Sequence, residues 1–442
     1  MTVNKKLLIF LSTHLIIWTL IPSVTNNNLP LDTIEALAWG SNLDWGFVKH
    51  PPLSAFFPEM FYQIFGPQDW VYYFLSQLFV IVAFYYVYQF SLEILNNNNY
   101  ALLSVILLEG IFFYNFTTPE FNVNVCQLPF WAMTVYYGYQ CFNKNKVKDY
   151  FILGLVMGLG FLSKYLFLYL IFGLIIFYFY FIKKNNFRII HFFPGIIFLI
   201  IISPHMLWLI ENNYITILYG LKRAGETKVL LDHIIQPLTF LSKQIVILIP
   251  FFLMLFFLVQ QKSKINFNYK NDNFIYLLTV NVAPLLLIFL TSLLMGAKIR
   301  TMWMTPFYLY FGTLFIYFFQ TKINLDNIKK FYVIFIFFFL LSPFLYGYIS
   351  ITQKDKRTDY QGSDIAKLVA QKWFEINNNY KINYISGKNE WIVGNLSYHL
   401  QSRPSWTTQS LGVKQMCFDR NFKVTNNVKE FCISDTVKKY KK

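Results

Sequence analysis

The chain has 442 residues, of which 56% are hydrophobic, 21% aromatic and only 14% charged. Soluble domains carry about 25% charged residues, so this composition cannot cover a water-facing surface and reads as an integral membrane protein. A formal charge of +16 would point to nucleic acid on a soluble protein, but here the cations follow a membrane topology. The four cysteines form no CxxC pair and give no zinc or thioredoxin-like signal.

In chain order, the first apolar run is 7–24, behind Lys5 and Lys6. A signal peptide is the alternative. With no clear small-residue cleavage site and further spans to follow, the run reads as a retained first helix. A span needs about 20 mostly apolar residues, which predicts about eleven spans. They fall roughly at 7–24, 71–95, 100–116, 123–142, 150–163, 165–182, 189–210, 238–259, 274–295, 302–320 and 331–350.

With the N-terminus cytoplasmic, the inside connectors are short and, except for 96–99, basic. Lys144, Lys146 and Lys148 lie in one, and Lys183, Lys184 and Arg188 in the next. This is the positive-inside pattern. An odd span count then puts the tail outside, which in a bacterium is the periplasm. The chain divides into a membrane domain, 1–350, and a soluble domain, 351–442. In the tail, 363–376 carries Ile365, Leu368, Val369 and Trp373 on one helical stripe, and 381–386 alternates like a strand. The fold expectation is an all-α polytopic membrane protein with a small C-terminal α/β domain. A Cys417–Cys432 disulfide suits an oxidising compartment, with two free thiols as the alternative. Cys126 and Cys141 fall in a span as small buried residues.

The longest early outside loop, about 25–70, contains "DTIEALAWGSNLDWGFVKHPPLSAFF" from Asp32 to Phe57. Asp32 and Glu35 are three apart and share a helix face. Leu31, Ile34, Leu37 and Ala38 supply the apolar side of a helix lying on the membrane surface. A simpler role for Asp32 is a helix N-cap. Pro51-Pro52 stiffens the backbone. It holds Lys49 and His50 as a positive pair suited to phosphate, or as solvated charges on a rigid turn. The second outside loop, "TTPEFNVN", is short, and Glu120 stands in it beside Asn122 and Asn124. An acid so close to hydrocarbon is costly unless paired or used. Lys164 in "LSKYL" either snorkels to the lipid surface or ligates an anion inside the protein. Pro204 kinks a later span just before His205. Lys49, Lys164, Lys222, Arg223, Lys228, Lys243, Lys298 and Arg300 fall on the outside against the usual bias. Beside short loops they suit an anion delivered in the membrane, most simply a phosphate.

These stretches carry a resemblance. "EALAWGSNLDWGFVKHPPLSA", "EFNVNVCQLPFWA", "LSKY", "SPHMLWLIEN" and "AKIRTMWMTP", with many spans and an outside C-terminal domain, resemble the GT-C glycosyltransferases of the protein mannosyltransferase superfamily. Within it they are similar to bacterial members such as the lipid A aminoarabinose transferase and the lipopolysaccharide-core galacturonosyltransferases. The likeness covers about 1–350, and the tail more weakly through "YQGSDIAKLV" and "SRPSW". It implies a GT-C fold with periplasmic juxtamembrane helices in a bacterial inner membrane. It also implies inverting transfer of a sugar from a polyprenyl-phosphate carrier to lipid A or the lipopolysaccharide core.

By the same resemblance, Asp32 falls at the first-loop catalytic acid and Glu120 at the second-loop acid. Glu35, Lys49, His50, Lys164, His205, Lys298 and Arg300 are the candidate substrate-binding residues, and Lys164, Arg300 and Lys298 would neutralise the leaving phosphate. His50 occupies a slot that is often lysine or histidine, whereas Lys49 occupies one that is acidic in some relatives. Some relatives bind a divalent ion; no metal or other cofactor is expected here.

A transporter or flippase is the rival reading. Such proteins usually show internal repeats and midplane substrate groups, whereas here no repeat is visible and the candidate charges cluster at outside loops. A membrane assembly protein, the third reading, leaves the acid and Lys-His-Pro-Pro arrangement without a role.

Overall fold

The computed structural model describes residues 2–185, 188–225, 229–259, 271–377, 381–387, 389–408, 422–425 and 430–432. The helices run α1 Val3–Thr25, α2 Leu31–Ser41, α3 Leu53–Phe65, α4 Asp69–Leu95, α5 Asn98–Ile106, α6 Val123–Cys126, α7 Leu128–Asn143, α8 Val147–Ser163, α9 Leu168–Asn185 and α10 Phe193–Glu211. They continue α11 Ile215–Ala224, α12 Asp232–Leu258, α13 Asp272–Met295, α14 Phe311–Phe319, α15 Lys329–Thr352, α16 Gly362–Asn377 and α17 Glu390–His399.

Among the described residues, seven stretches are long and apolar enough to cross a membrane: Val3–Thr25, Asp69–Leu95, Tyr165–Lys184, Ile189–Glu211, Asp232–Leu258, Asp272–Met295 and Lys329–Thr352. Thr301–Tyr308 with Phe311–Lys322, bent by 50°, makes an eighth if the pair is one span. The other three expected spans meet shorter or broken helices. α5 gives way to tight turns at Leu107–Gly110 and Phe112–Tyr114. α7 has 16 residues and α8 has 17, close to the lower limit of about 17 for a span. The physical reason is screening. Ala101, Leu103, Val105, Leu128, Trp131, Val135, Leu153 and Val156 are buried, so these helices turn most of their apolar surface to protein, while Val147 and Phe151 on α8 stay exposed.

The outer helices show the opposite pattern. On α10, Ile196, Leu199, Ile200, Leu207 and Ile210 are exposed, as are Val333, Ile336, Phe337, Leu340 and Phe344 on α15. Apolar rows of this extent do not face water in a monomer, so they face lipid, and the molecule is a multi-pass membrane protein. Inside, Phe84, Trp131, Phe251, Tyr276 and Tyr308 belong to one continuous core. α14 lies almost backbone on backbone with α5. A Cβ at Gly312 would fall 1.9 Å from the Ser104 carbonyl oxygen.

The elements that position the site lie between the first long helices. α2 and α3 fill the connection from α1 to α4. Gly66, at φ 67°, ends α3, a conformation that glycine adopts without strain. The C-terminal unit contains α16, α17 and four strands: β1 Tyr384–Gly387, β2 Ser405–Thr407, β3 Phe422–Thr425 and β4 Glu430–Cys432. Their order is β2-β1-β3-β4, with β1 parallel to β2 and antiparallel to β3. The helix expected at 363–376 and the strand expected at 381–386 are both present, the strand displaced by a few residues. Val369, Trp373, Trp391, Leu396 and Tyr398 of this unit pack with Ile34, Leu37, Tyr62 and Tyr72 in one cluster. Cys417 and the side chain of Cys432 lie outside the described residues, and the disulfide expectation with them. Cys126 and Cys141 are buried free thiols.

Candidate active site

Pro30 precedes the first turn of α2 and offers no side-chain cap. The cap comes from the loop that holds Glu120 instead. The Asp32 backbone N–H donates to Glu120 Oε1 at 2.9 Å, and Thr33 Oγ1 donates to the Phe121 carbonyl at 3.1 Å. A helix N-terminus has unpaired N–H groups and a positive dipole end, so it attracts the Glu120 carboxyl. Asp32 is therefore not the cap, and its side chain faces a cavity of about 780 Å³. Asn122 accepts from Asn124 N at 2.8 Å and from Val125 N at 3.2 Å. This starts α6 and places Asn124 in the cavity lining.

The cavity gathers most of the sequence-predicted residues. Asp32, Glu35, Lys49, His50, Glu120, Lys164 and Arg300 all line it, together with Arg223, Tyr165, Tyr169 and Trp303. Burial raises the pKa of both Asp32 and Glu120, and each acid opposes the charge on the other. Glu120 is pushed up to about 8 by burial and then by Asp32, with partial relief from the Asp32 backbone N–H. Asp32 is raised by burial, but Lys49, Lys164, Arg223 and Arg300 all favour its charge. Two acids this close do not both ionise freely. Of the two, Asp32 has the cations around it that favour the negative charge.

Lys164 sits at the break after α8, where the backbone is extended. It is buried, so it does not snorkel. It donates to Asn124 Oδ1, and its ammonium lies 5.4 Å from the Trp303 ring centre. Burial pulls its pKa down to about 7, against the pull of Asp32. Lys49 bridges two acids: it donates to Glu35 Oε1 at 2.8 Å and to Glu390 Oε2. Glu390 Oε1 accepts from Trp39 Nε1 at 2.7 Å. Burial works against the Lys49 charge, but Glu390 and Glu35 outweigh it and hold its pKa above the usual value. Glu35 is raised by burial, although Lys49 opposes this.

The expected positive Lys49-His50 pair is corrected on two counts. The Lys49 charge is already matched by two carboxylates. His50 is driven down to about 3 by burial and by the charges of Lys164, Lys49 and Arg223, so it is neutral at physiological pH. Because Lys49 stands between Glu35 and Glu390, those acids have their counter-charge, and the slot does not suit a divalent cation.

Two further expectations change. His205 does not line the cavity. Its Nε2 pairs with the Tyr165 hydroxyl at 2.7 Å, and its Nδ1 with the Trp45 carbonyl at 2.6 Å, so both ring nitrogens are engaged one layer behind the lining. Lys298 is exposed and lines a neighbouring cavity instead. Tyr165, Tyr169, Trp303 and Glu390 were not singled out by sequence. Aromatics are everywhere in this chain, and Glu390 meets Lys49 only through tertiary packing. Arg223 was detectable as an outside cation, and Asn124 as part of the polar cluster around Glu120.

Residues 49–208 match the model of a family described as dolichyl-phosphate-mannose-protein mannosyltransferase. That stretch holds Lys49, His50, Glu120, Lys164 and His205, while Asp32 and Arg300 lie outside it. The crystal structure of ArnT from Cupriavidus metallidurans bound to undecaprenyl phosphate is similar over 90% of this chain and 85% of that one, with a TM-score of 0.61 and 12% identity. At that identity the likeness is one of fold. No curated protein matches the sequence.

Proposed function

We propose that this membrane protein is a glycosyltransferase of the GT-C superfamily and that it moves a sugar from a polyprenyl-phosphate carrier to lipid A or the lipopolysaccharide core at the periplasmic face of a bacterial inner membrane, with inversion; the matches of family model and fold support this reading. The observation that carries the reading is one cavity in which the Asp32 and Glu120 carboxyls stand with Lys164, Arg223 and Arg300. The polyprenyl-phosphate donor is further supported by the likeness of fold to a protein crystallised with undecaprenyl phosphate. The proposed orientation has the N-terminus in the cytoplasm and the unit from residue 351 outside as a separate domain.

In this mechanism the acceptor hydroxyl gives its proton to Asp32, the general base. The acceptor oxygen attacks the anomeric carbon opposite the phosphate. The bond from that carbon to the phosphate oxygen breaks, and its electron pair leaves with the phosphate. Lys164, Arg223 and Arg300 neutralise the charge that builds there, and the buried Lys164 acts most strongly. The Glu120 carboxyl holds the start of α2 and so fixes Asp32. Where the acceptor is itself an ionised phosphate oxygen, no proton is removed, and Asp32 orients the acceptor and balances charge.

The test is a transfer assay with purified protein, a synthetic polyprenyl-phosphate sugar, and lipid A or core oligosaccharide. Sugar should appear on the acceptor with inverted configuration. Retained configuration, or no transfer to either acceptor, would overturn the reading.

A further inference from the structure

α1 leads into α2 and the active-site cavity at its C-terminal end. Toward its other end, α1, α5 and α15 leave a groove of about 360 Å³ between them. α1 lines it with Lys6, Ile9, Phe10 and Thr13, and α15 with Tyr332, Phe335, Ile336 and Phe339. Both sets follow the i, i+3, i+4, i+7 spacing of one helix face. The rise from Lys6 to Thr13 is about 10 Å, within the half-thickness of about 15 Å of a hydrocarbon layer. The Phe10 ring centre lies 6.0 Å from those of Phe335 and Phe339, so aromatic rings back the groove. At their other ends the same two helices are joined directly. There Ser350 Oγ donates to the Thr25 carbonyl at 3.1 Å, and Asn26 Nδ2 donates to the Tyr346 hydroxyl at 3.0 Å.

The mouth of the groove is basic. Lys5 and Lys6 lie in the first turn of α1, and Lys329 and Lys330 open α15. A helix N-terminus is the positive end of its dipole and favours an anion, so cations there are misplaced unless one is supplied. No side chain caps α15 at this end. Lys329 stands three residues before Tyr332, on the face that lines the groove. All four lysines are exposed. Among the described residues their side chains have neither an ion-pair nor a hydrogen-bond partner, and no acid lines the groove. A soluble anion would meet the lysines and leave the apolar slot uncovered. A lipid of no net charge would fill the slot and leave the lysines unmatched. Basic clusters just outside a span attract lipids that carry both an acyl chain and a negative headgroup.

We propose that this groove is a binding site for an anionic glycerophospholipid of the leaflet opposite the active-site cavity, with one acyl chain between α1 and α15 and the phosphate held by Lys6, Lys329 and Lys330. The phosphate oxygens accept charge-assisted hydrogen bonds from the ammonium groups and supply the anion that both helix N-termini lack. The lipid joins the first and last of the long apolar helices at the end where the protein leaves a gap between them. The site takes no part in sugar transfer, and its existence does not rest on the function proposed above.

The experiment is native mass spectrometry of the full chain with dioleoyl phosphatidylglycerol, dioleoyl phosphatidylcholine and glycerol 3-phosphate as probes. The two lipids share their acyl chains and differ in headgroup charge. Wild type should retain phosphatidylglycerol at least about tenfold more tightly than phosphatidylcholine, on the scale of several juxtamembrane lysines. The K6Q/K329Q/K330Q variant should lose that preference, and K6R/K329R/K330R should keep it. The control K146Q/K148Q/K183Q removes as many exposed lysines from the same end of the helices and should bind within about twofold of wild type. I336W fills the groove with every lysine in place and should weaken phosphatidylglycerol binding about fivefold or more. Glycerol 3-phosphate at equal concentration should not displace the lipid. Equal binding of the two lipids, an unchanged preference in the glutamine variant, or an equal loss in the control would each overturn the proposal. Unchanged binding to I336W, or displacement by glycerol 3-phosphate, would overturn it as well.

Discussion

Asp32→Asn removes the carboxylate that faces Lys164, Arg223 and Arg300, and should lower kcat by about 10²–10⁴-fold, the usual contribution of a general base. Glu120→Gln keeps the acceptor that the Asp32 N–H needs and replaces a carboxyl already neutral below about pH 8. Its loss should stay within about tenfold, the scale of one weakened hydrogen bond. Steady-state kinetics separate the two roles, and a Glu120→Gln enzyme as inactive as Asp32→Asn would contradict the assignment. The pH profile follows from the same groups. Asp32 loses its charge as pH falls through its raised pKa, and Lys164 loses its charge as pH rises through about 7. The kcat/KM profile should therefore be bell-shaped, and Lys164→Arg should carry the alkaline limb upward because a guanidinium stays charged. An alkaline limb that does not move belongs to another group. Asp32, Glu120 and Lys164 were legible in the sequence because a charge beside hydrocarbon is too expensive to be idle. His50 and His205 were only half legible: the charge of one and the partners of the other are set by groups that meet only after folding.

At the scale of elements, α14 and α5 touch so closely that a methyl group at position 312 has no space. Gly312→Ala should cost about 1–3 kcal/mol or more through overpacking, seen as a lower unfolding midpoint in detergent. Gly173→Ala on α9 is the control. Its Cβ would meet Ala283 and Pro284 at 3.4 and 3.5 Å, an ordinary contact, so its midpoint should barely move. The C-terminal unit is pinned by Arg403, which pairs with Glu59 at 2.5 Å and lies 4.0 Å from the Tyr62 ring centre. Removing one partner of a buried pair costs about 3–5 kcal/mol. Arg403→Ala should thus make the chain beyond Thr352 sensitive to protease before the membrane helices unfold; equal resistance in both proteins would show that other contacts suffice. The long lipid-facing helices were readable directly from their apolar runs. α5, α7 and α8 are shorter than the apolar runs that hold them, because length at the level of single turns is not visible in sequence.

For the whole molecule, the proposed topology is tested by a phosphatase fused after Lys442, which should be active outside the cytoplasm. Activity only from a cytoplasmic reporter would reverse the orientation and move the cavity to the other face. The basic connectors are the ground for this orientation. The seat of the C-terminal unit was not legible, since its apolar stripe says that it docks but not where. That seat has a consequence for biosynthesis. Lys49 and Glu390 stand 341 residues apart in the chain, so the loop that holds Lys49 emerges long before its partner is made. Until then Lys49 has Glu35 alone, the Trp39 indole N–H lacks its acceptor, and Ile34 and Leu37 on α2 stand uncovered. Lys49 on the cavity lining thus gains its second carboxylate only after Glu390 has been made, and a chain that stalls before codon 390 should leave that part of the wall incompletely paired.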